Sequence, residues 1–120
     1  MKEVVKYWQE TAEHDREHNS EIINIVKRYG EDLNKNGIHV NALYLFGSHI
    51  KGKAKKWSDI DVAVVSDYLN SKYNEGRFLL WKLTRGIDLR IEPHGFTPKT
   101  WNDPSDPLVH EIKTTGLRIA

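Results

Sequence analysis

Residues 45–65 read LFGSHIKGKAKKWSDIDVAVV, and the run at 60–65 within it, IDVAVV, is β-branched and almost wholly apolar. That composition predicts a strand covered on both faces. Asp59 and Asp61 flank Ile60 at its start. Residues two apart on a strand share a face, so the two carboxylates project side by side, their Cβ atoms roughly 7 Å apart at a rise of about 3.3 Å per residue, while Ile60 points into the core. Like charges at that spacing repel, and no arginine adjoins them to compensate. A divalent cation would offset both. Hard oxygen donors with no cysteine at hand favour Mg²⁺ or Mn²⁺ over zinc. The same Asp-x-Asp also suits a plain polar strand start, with one aspartate capping the turn and the other solvated.

Upstream, VNALYLF at 40–46 has the β-branched and aromatic content of a second strand, which Gly47-Ser48 ends before the basic loop KGKAKKWSD. Glycine permits close backbone approach, and the free N–H groups of such a turn, with the serine hydroxyl, make a phosphate cradle. Lys53, Lys55 and Lys56 suit contact with phosphate and equally suit a solvated loop. Trp57 borders the site, where it could stack on a base, and Trp101 lies in a second loop; exposure is expected of both.

The remaining elements follow from periodicity and turn chemistry. Val4, Val5 and Trp8, then Ile22, Ile23, Ile25, Val26, Tyr29 and Leu33, predict one long helix or two, with Ser20 as the N-cap of the second. Asn34–Gly37 stops it. Asn70 or Ser71 is expected to cap a helix reaching about Arg85, with Phe78 and Trp81 as core residues. Gly86 turns the chain into a third strand, IDLRIEP, closed by Pro93. Asp106-Pro107 opens a short helix that Gly116 stops, and LRIA is expected to add an edge strand.

A chain of 120 residues fits one domain. With 18 Lys+Arg against 17 Asp+Glu, its formal charge of +1 gives no strong nucleic-acid signal and no pull toward anionic membrane. Neither a signal peptide nor a membrane-spanning run is visible, and zero cysteines suit a cytoplasmic protein. His14 and His18 are spaced i, i+4, in a charged helix where a zinc role is not expected.

Gly47, Ser48, Gly52, Ser58, Asp59 and Asp61 fit the pattern G-S-x-x-x-G-x-x-x-x-x-S-D-I-D. This pattern resembles the signature of the minimal, antitoxin-like nucleotidyltransferases of the DNA polymerase β superfamily. The resemblance implies an α+β, two-layer nucleotidyltransferase fold, a small mixed β-sheet flanked by helices, within a single domain 1–120. Residues 1–36 would be an N-terminal helical segment and 38–120 the catalytic core. It further implies that Asp59, Asp61 and a third carboxylate on a later strand, taken as Asp88 with Glu92 as the alternative, hold two Mg²⁺ or Mn²⁺ ions. Gly47, Ser48, Lys51, Gly52 and Ser58 would bind the nucleotide. Lys51 stands where relatives often carry arginine, which keeps the charge but loses the bidentate fork. His49 is either a nucleotide contact or a solvated loop residue; Arg90 either neutralises a phosphate or pairs with a carboxylate.

The implied chemistry is metal-dependent transfer of a nucleoside monophosphate, AMP from ATP, with the third carboxylate as base. Small members of this family resemble antitoxins paired with a helical HEPN-type toxin, which they adenylylate on tyrosine or mask by binding. The first of these is the expectation. A non-catalytic binding module, an aminoglycoside-like small-molecule transferase and a homodimer remain open on the sequence.

Overall fold

The stretch Ile60–Val65 is a strand, as its composition predicts, and it lies inside a four-stranded sheet. The computed structural model describes residues 2–120, with side chains from Asn19 onward. In chain order the elements are α1 (Lys2–Lys35), β1 (Ala42–Phe46), a 3-10 turn (Gly47–His49), β2 (Ile60–Val65), α2 (Tyr68–Ser71), α3 (Tyr73–Thr84), β3 (Ile91–Phe96), α4 (Pro98–Trp101), α5 (Pro107–Thr115) and β4 (Leu117–Arg118). The sheet order is β3-β2-β1-β4. β1 runs antiparallel to β2 and β4, whereas β2 and β3 are parallel. The expected mixed α+β sheet flanked by helices is therefore what forms.

Side chains alternate across the strands, so each face of the sheet builds its own core. On one face Leu43, Leu45, Ile60, Val62, Val64 and Ile91 meet the α1 stripe Ile22, Val26, Tyr29 and Leu33, together with Leu80 of α3. On the other, Ala42, Phe46, Ala63, Val65 and Phe96 meet Trp101 of α4 and Val109 and Ile112 of α5. The register pairs Phe46 with Asp61, Asp61 with Glu92, and Ala63 with His94. Hence the second face is apolar at one end and carries Asp61, Glu92 and His94 at the other.

Turn chemistry behaves as expected at several ends. Gly37 takes φ +85, Ile38 N–H bonds the Leu33 carbonyl at 3.0 Å, and α1 stops there. Asp106 accepts from the Leu108 and Val109 N–H groups, with Pro107 in the first turn of α5. The last residues add β4 to the β1 edge.

Other expectations are corrected. Helix α1 is unbroken, so Ser20 is an exposed mid-helix residue and not an N-cap. Neither Asn70 nor Ser71 caps a helix: the chain breaks at Lys72, and α3 starts without a side-chain cap. Phe78 and Trp81, expected in the core, are 67% and 47% exposed. The run FLLW spreads over most of a helical turn, and only the Leu80–Thr84 side of α3 faces inward. Trp101 is buried, because Thr97 and Thr100 form a capping box with Pro98 behind it and open an unforeseen helix, α4. Trp57 is exposed as expected. The third strand begins at Ile91, four residues later than IDLRIEP suggested, and Pro93 sits inside it, tolerated because β3 is an edge strand. Trp8, His14 and His18 lie outside the residues with described side chains. Among the described residues no helix is long and apolar enough to cross a membrane.

The helical layer is pinned by one buried bond, Tyr29 Oη donating to the Leu80 carbonyl at 2.6 Å. Burial, then the nearby Asp32 charge, pushes the phenol above its ordinary range, so it stays a donor. Tyr29→Phe keeps the ring and deletes the bond. It should cost about 1 kcal/mol, seen as a lower urea midpoint with an unchanged slope.

Candidate active site

Asp61 is set by the β2 register directly across from Glu92 of β3 on the same face. Asp59 precedes the strand by one residue and lies within hydrogen-bond reach of the Glu92 carboxyl. Burial, that bond and the Asp61 charge push Glu92 above the ordinary carboxylate range. His94, two residues further along β3, brings Nε2 to 3.3 Å from Asp61 Oδ1. One ligand atom from each of Asp61, Glu92 and His94 lies within 4.8 Å of the others. The donor set therefore fits a divalent cation on its geometry.

The Gly47–Ser48 turn abuts this cluster. Gly47 takes φ +82, and a Cβ there would collide with Asp61 Oδ2. Only glycine lets the carboxylate lie against the turn. The loop that follows is tied down by its own bonds. Ile50 and Lys51 N–H groups bond the Gly47 carbonyl, and Lys53 N–H bonds that of Ser48. Gly52 turns the chain with φ +70. Ser58 Oγ accepts from Lys55 N–H at 2.7 Å, and His49 Nε2 lies 3.3 Å from the Ser58 carbonyl. His49 is 3% exposed, so it is neither solvated nor a surface contact but a peg inside the loop. Lys51 Nζ reaches Glu111 of α5 at 2.7 Å, an ion pair with both side chains half-exposed.

Asp88 departs from its expected place. Residues 87–90 form a turn, with Ile87 and Asp88 N–H groups on the Thr84 carbonyl. The Asp88 carboxylate grips Arg90 at 3.0 Å through Nε and 2.9 Å through Nη2, and it also accepts the Arg90 backbone N–H. Arg90 Nη1 in turn donates to the Lys56 carbonyl. That fork, above all its side-chain hydrogen bonds, holds Asp88 below the usual carboxylate range. The carboxylate that stands beside Asp61 is Glu92. The signal that could have selected it is in the sequence: Glu92-x-His94 repeats the i, i+2 spacing of Asp59-x-Asp61.

These features define an α+β domain whose sheet carries a cation-capable acidic cluster against a glycine-serine turn. A family model described as Polymerase beta, Nucleotidyltransferase matches residues 20–119, and the chain belongs to that family. No curated protein matches it. Among solved structures, a toxin-antitoxin crystallised with AMP-PNP aligns at TM-score 0.56 and 25% identity, over 82% of this chain and 72% of that one. A Sulfolobus solfataricus protein assigned as a nucleotidyltransferase aligns at TM-score 0.59 and 16% identity, over 87% and 84%, a likeness of fold.

Two outcomes test this geometry. Gly47→Ala forces an L-residue into φ +82 and drives its Cβ against Asp61. It should cost about 1–2 kcal/mol by denaturation and remove any rise in melting temperature on adding Mn²⁺. For Asp88 the native pKa is depressed from 3.8. Its contribution is therefore complete above that value and is lost as pH falls through the lower, native one. Asp88→Asn should be less stable than wild type at neutral pH, with the gap closing in strong acid; a constant gap would contradict the pairing.

Proposed function

We propose that this nucleotidyltransferase domain transfers AMP from ATP to a hydroxyl of a partner protein, a tyrosine on a helical HEPN-type toxin, and so acts as an antitoxin. The observation that carries the chemistry is the Asp59, Asp61 and Glu92 cluster set against Gly47-Ser48. The partner reading draws support from the toxin-antitoxin structure with AMP-PNP, an ATP analogue, to which the chain is similar over most of its length.

In this reading the α-phosphate lies over the acidic cluster while the β- and γ-phosphates rest on the Gly47-Ser48 turn. N–H groups opening a helical turn have no partner within it and face outward. Gly52 and Ser58 shape the loop around the phosphates. Lys51 exchanges Glu111 for phosphate, and releasing an exposed ion pair of this kind costs about 1 kcal/mol or less. Asp59, Asp61 and Glu92 hold the divalent ions, Mg²⁺ or Mn²⁺, with Glu92 in the role first expected of Asp88. Bound there, a pair of such ions lowers the pKa of the acceptor hydroxyl and offsets the charge of the leaving pyrophosphate.

The acceptor oxygen attacks the α-phosphorus, its proton passes to the Glu92 carboxylate, and the bond to the pyrophosphate oxygen breaks in line. Glu92 suits the proton better than Asp88 does. It stands beside Asp61, whereas the Asp88 carboxylate is taken up by the Arg90 fork. The β2–β3 register fixes Glu92 beside Asp61, so the base and the metal donors keep a common frame.

The test is incubation of the chain with labelled ATP, Mg²⁺ and the candidate helical partner. Asp59→Asn, Asp61→Asn and Glu92→Gln should each lower transfer by about a hundredfold or more, and Asp88→Asn by at least tenfold less than that. The partner should still co-purify with all four. Neutralisation of the partner by these variants without nucleotide would instead make the chain a masking module. A separate expectation concerns stability. Removing one of two like charges directly opposed across strands should raise the melting temperature of ion-free Asp61→Asn or Glu92→Gln by a few degrees, on the order of 0.5–1 kcal/mol.

A further inference from the structure

We propose that His94 is itself a metal ligand, and that its imidazole tunes this site toward a divalent transition-metal ion such as Mn²⁺ in preference to Mg²⁺. The inference rests on reading the acidic face as a cation site. Nucleotidyl transfer needs only the carboxylates, and nothing in that chemistry calls for a nitrogen donor. Yet His94 stands on the same face of β3 as Glu92, with Nε2 3.3 Å from Asp61 Oδ1. Donor atoms on adjacent vertices of an octahedron, each about 2.1 Å from its ion, stand about 3 Å apart. The observed separation is close to that, and the Glu92 oxygen completes a triangle with no edge over 4.8 Å.

The ring is held where it is. Phe46 meets it edge-on, with centroids 5.1 Å apart and planes at 62°. Its backbone neighbours are fixed too. Ile60 N–H bonds the Arg90 carbonyl and Ser66 N–H bonds that of Phe96, so the even-numbered residues of β3 turn their backbones toward β2. Nor is His94 needed merely to orient Asp61, since the Asp61 carboxylate already lies against Gly47 on its Oδ2 side. At 30% side-chain exposure for His94 and 23% for Asp61, both remain open to an entering ion. An imidazole that sheds its Nε2 proton is a good donor to Mn²⁺, Co²⁺ or Zn²⁺ and a poor one to Mg²⁺, which prefers oxygen and keeps its waters.

Pulsed EPR of Mn²⁺ added to the whole chain, without nucleotide, reads the bond directly. A ¹⁴N hyperfine coupling of imidazole size is expected in the wild type. It should vanish in His94→Ala and in His94→Gln, the second of which keeps a hydrogen-bond donor for Asp61. Calorimetric Mn²⁺ affinity should fall about tenfold or more in both variants, with Mg²⁺ affinity little changed. Mn²⁺ bound without nitrogen coupling would overturn the role of His94 and leave the carboxylate chemistry standing. Recovery of Mn²⁺ affinity in His94→Gln would do the same, since it would assign the histidine to positioning alone. Mn²⁺ failing to bind the wild-type chain would overturn the cation site itself. Because the wild-type spectrum decides the point, the result stands even where a variant folds poorly.

Discussion

Two carboxylates, Asp61 and Glu92, are held side by side by backbone register, with Asp59 one residue ahead of the strand, and the rest of the structure is arranged around tolerating that. The parallel pairing of β2 with β3 sets Asp61 opposite Glu92 on one face of the sheet. Side chains fixed by a ladder cannot swing apart to relieve their repulsion as they could on a loop. Burial first, then the bond to Asp59 and the Asp61 charge, raises the proton affinity of Glu92. A cation entering such a site finds its donors already gathered, so little ordering remains to be done on binding.

Three local devices keep the register from slipping. Pro93 sits in the edge strand between Glu92 and His94 at a position whose N–H would point away from β2, so it costs no ladder bond and blocks addition of another strand. The Asp88–Arg90 fork ties the turn before β3 to the loop before β2 through the Lys56 carbonyl. His49 joins the start of that loop to its end at Ser58. Asp88 thus braces the turn that leads into β3, where Glu92 meets Asp61.

What the sequence made legible was whatever local rules decide. The Asp106-Pro107 start, the Gly37 and Gly116 stops, the apolar run at Ile60–Val65 and the Gly47-Ser48 turn each carry their physics within a few residues. Illegible were the choices that depend on what lies across a gap. Asp88 and Glu92 are both flanked by apolar residues, and apart from the Glu92-x-His94 spacing it is the register of β3 against β2 that separates them. Phe78 and Trp81 read as core because FLLW is apolar throughout, but a helix buries one side, and which side follows from where α3 crosses the sheet. His94 reads as a lone histidine in the sequence; the strand register is what brings it to the face that carries Glu92 and Asp61.

The two faces of the sheet divide the labour of folding and binding. The face against α1 and α3 is apolar from end to end and is closed by the Tyr29 bond to Leu80. The other is apolar only where α4 and α5 cover it and becomes acidic beyond Phe46, where Asp61 begins. Stability drawn from the first face is what allows the second to hold like charges side by side. A cation that bound this face of the folded chain and not the unfolded one would raise its stability. Phe46 marks the boundary, with one edge in the apolar cluster and the other on His94. That contact transmits the rigidity of the core to the imidazole.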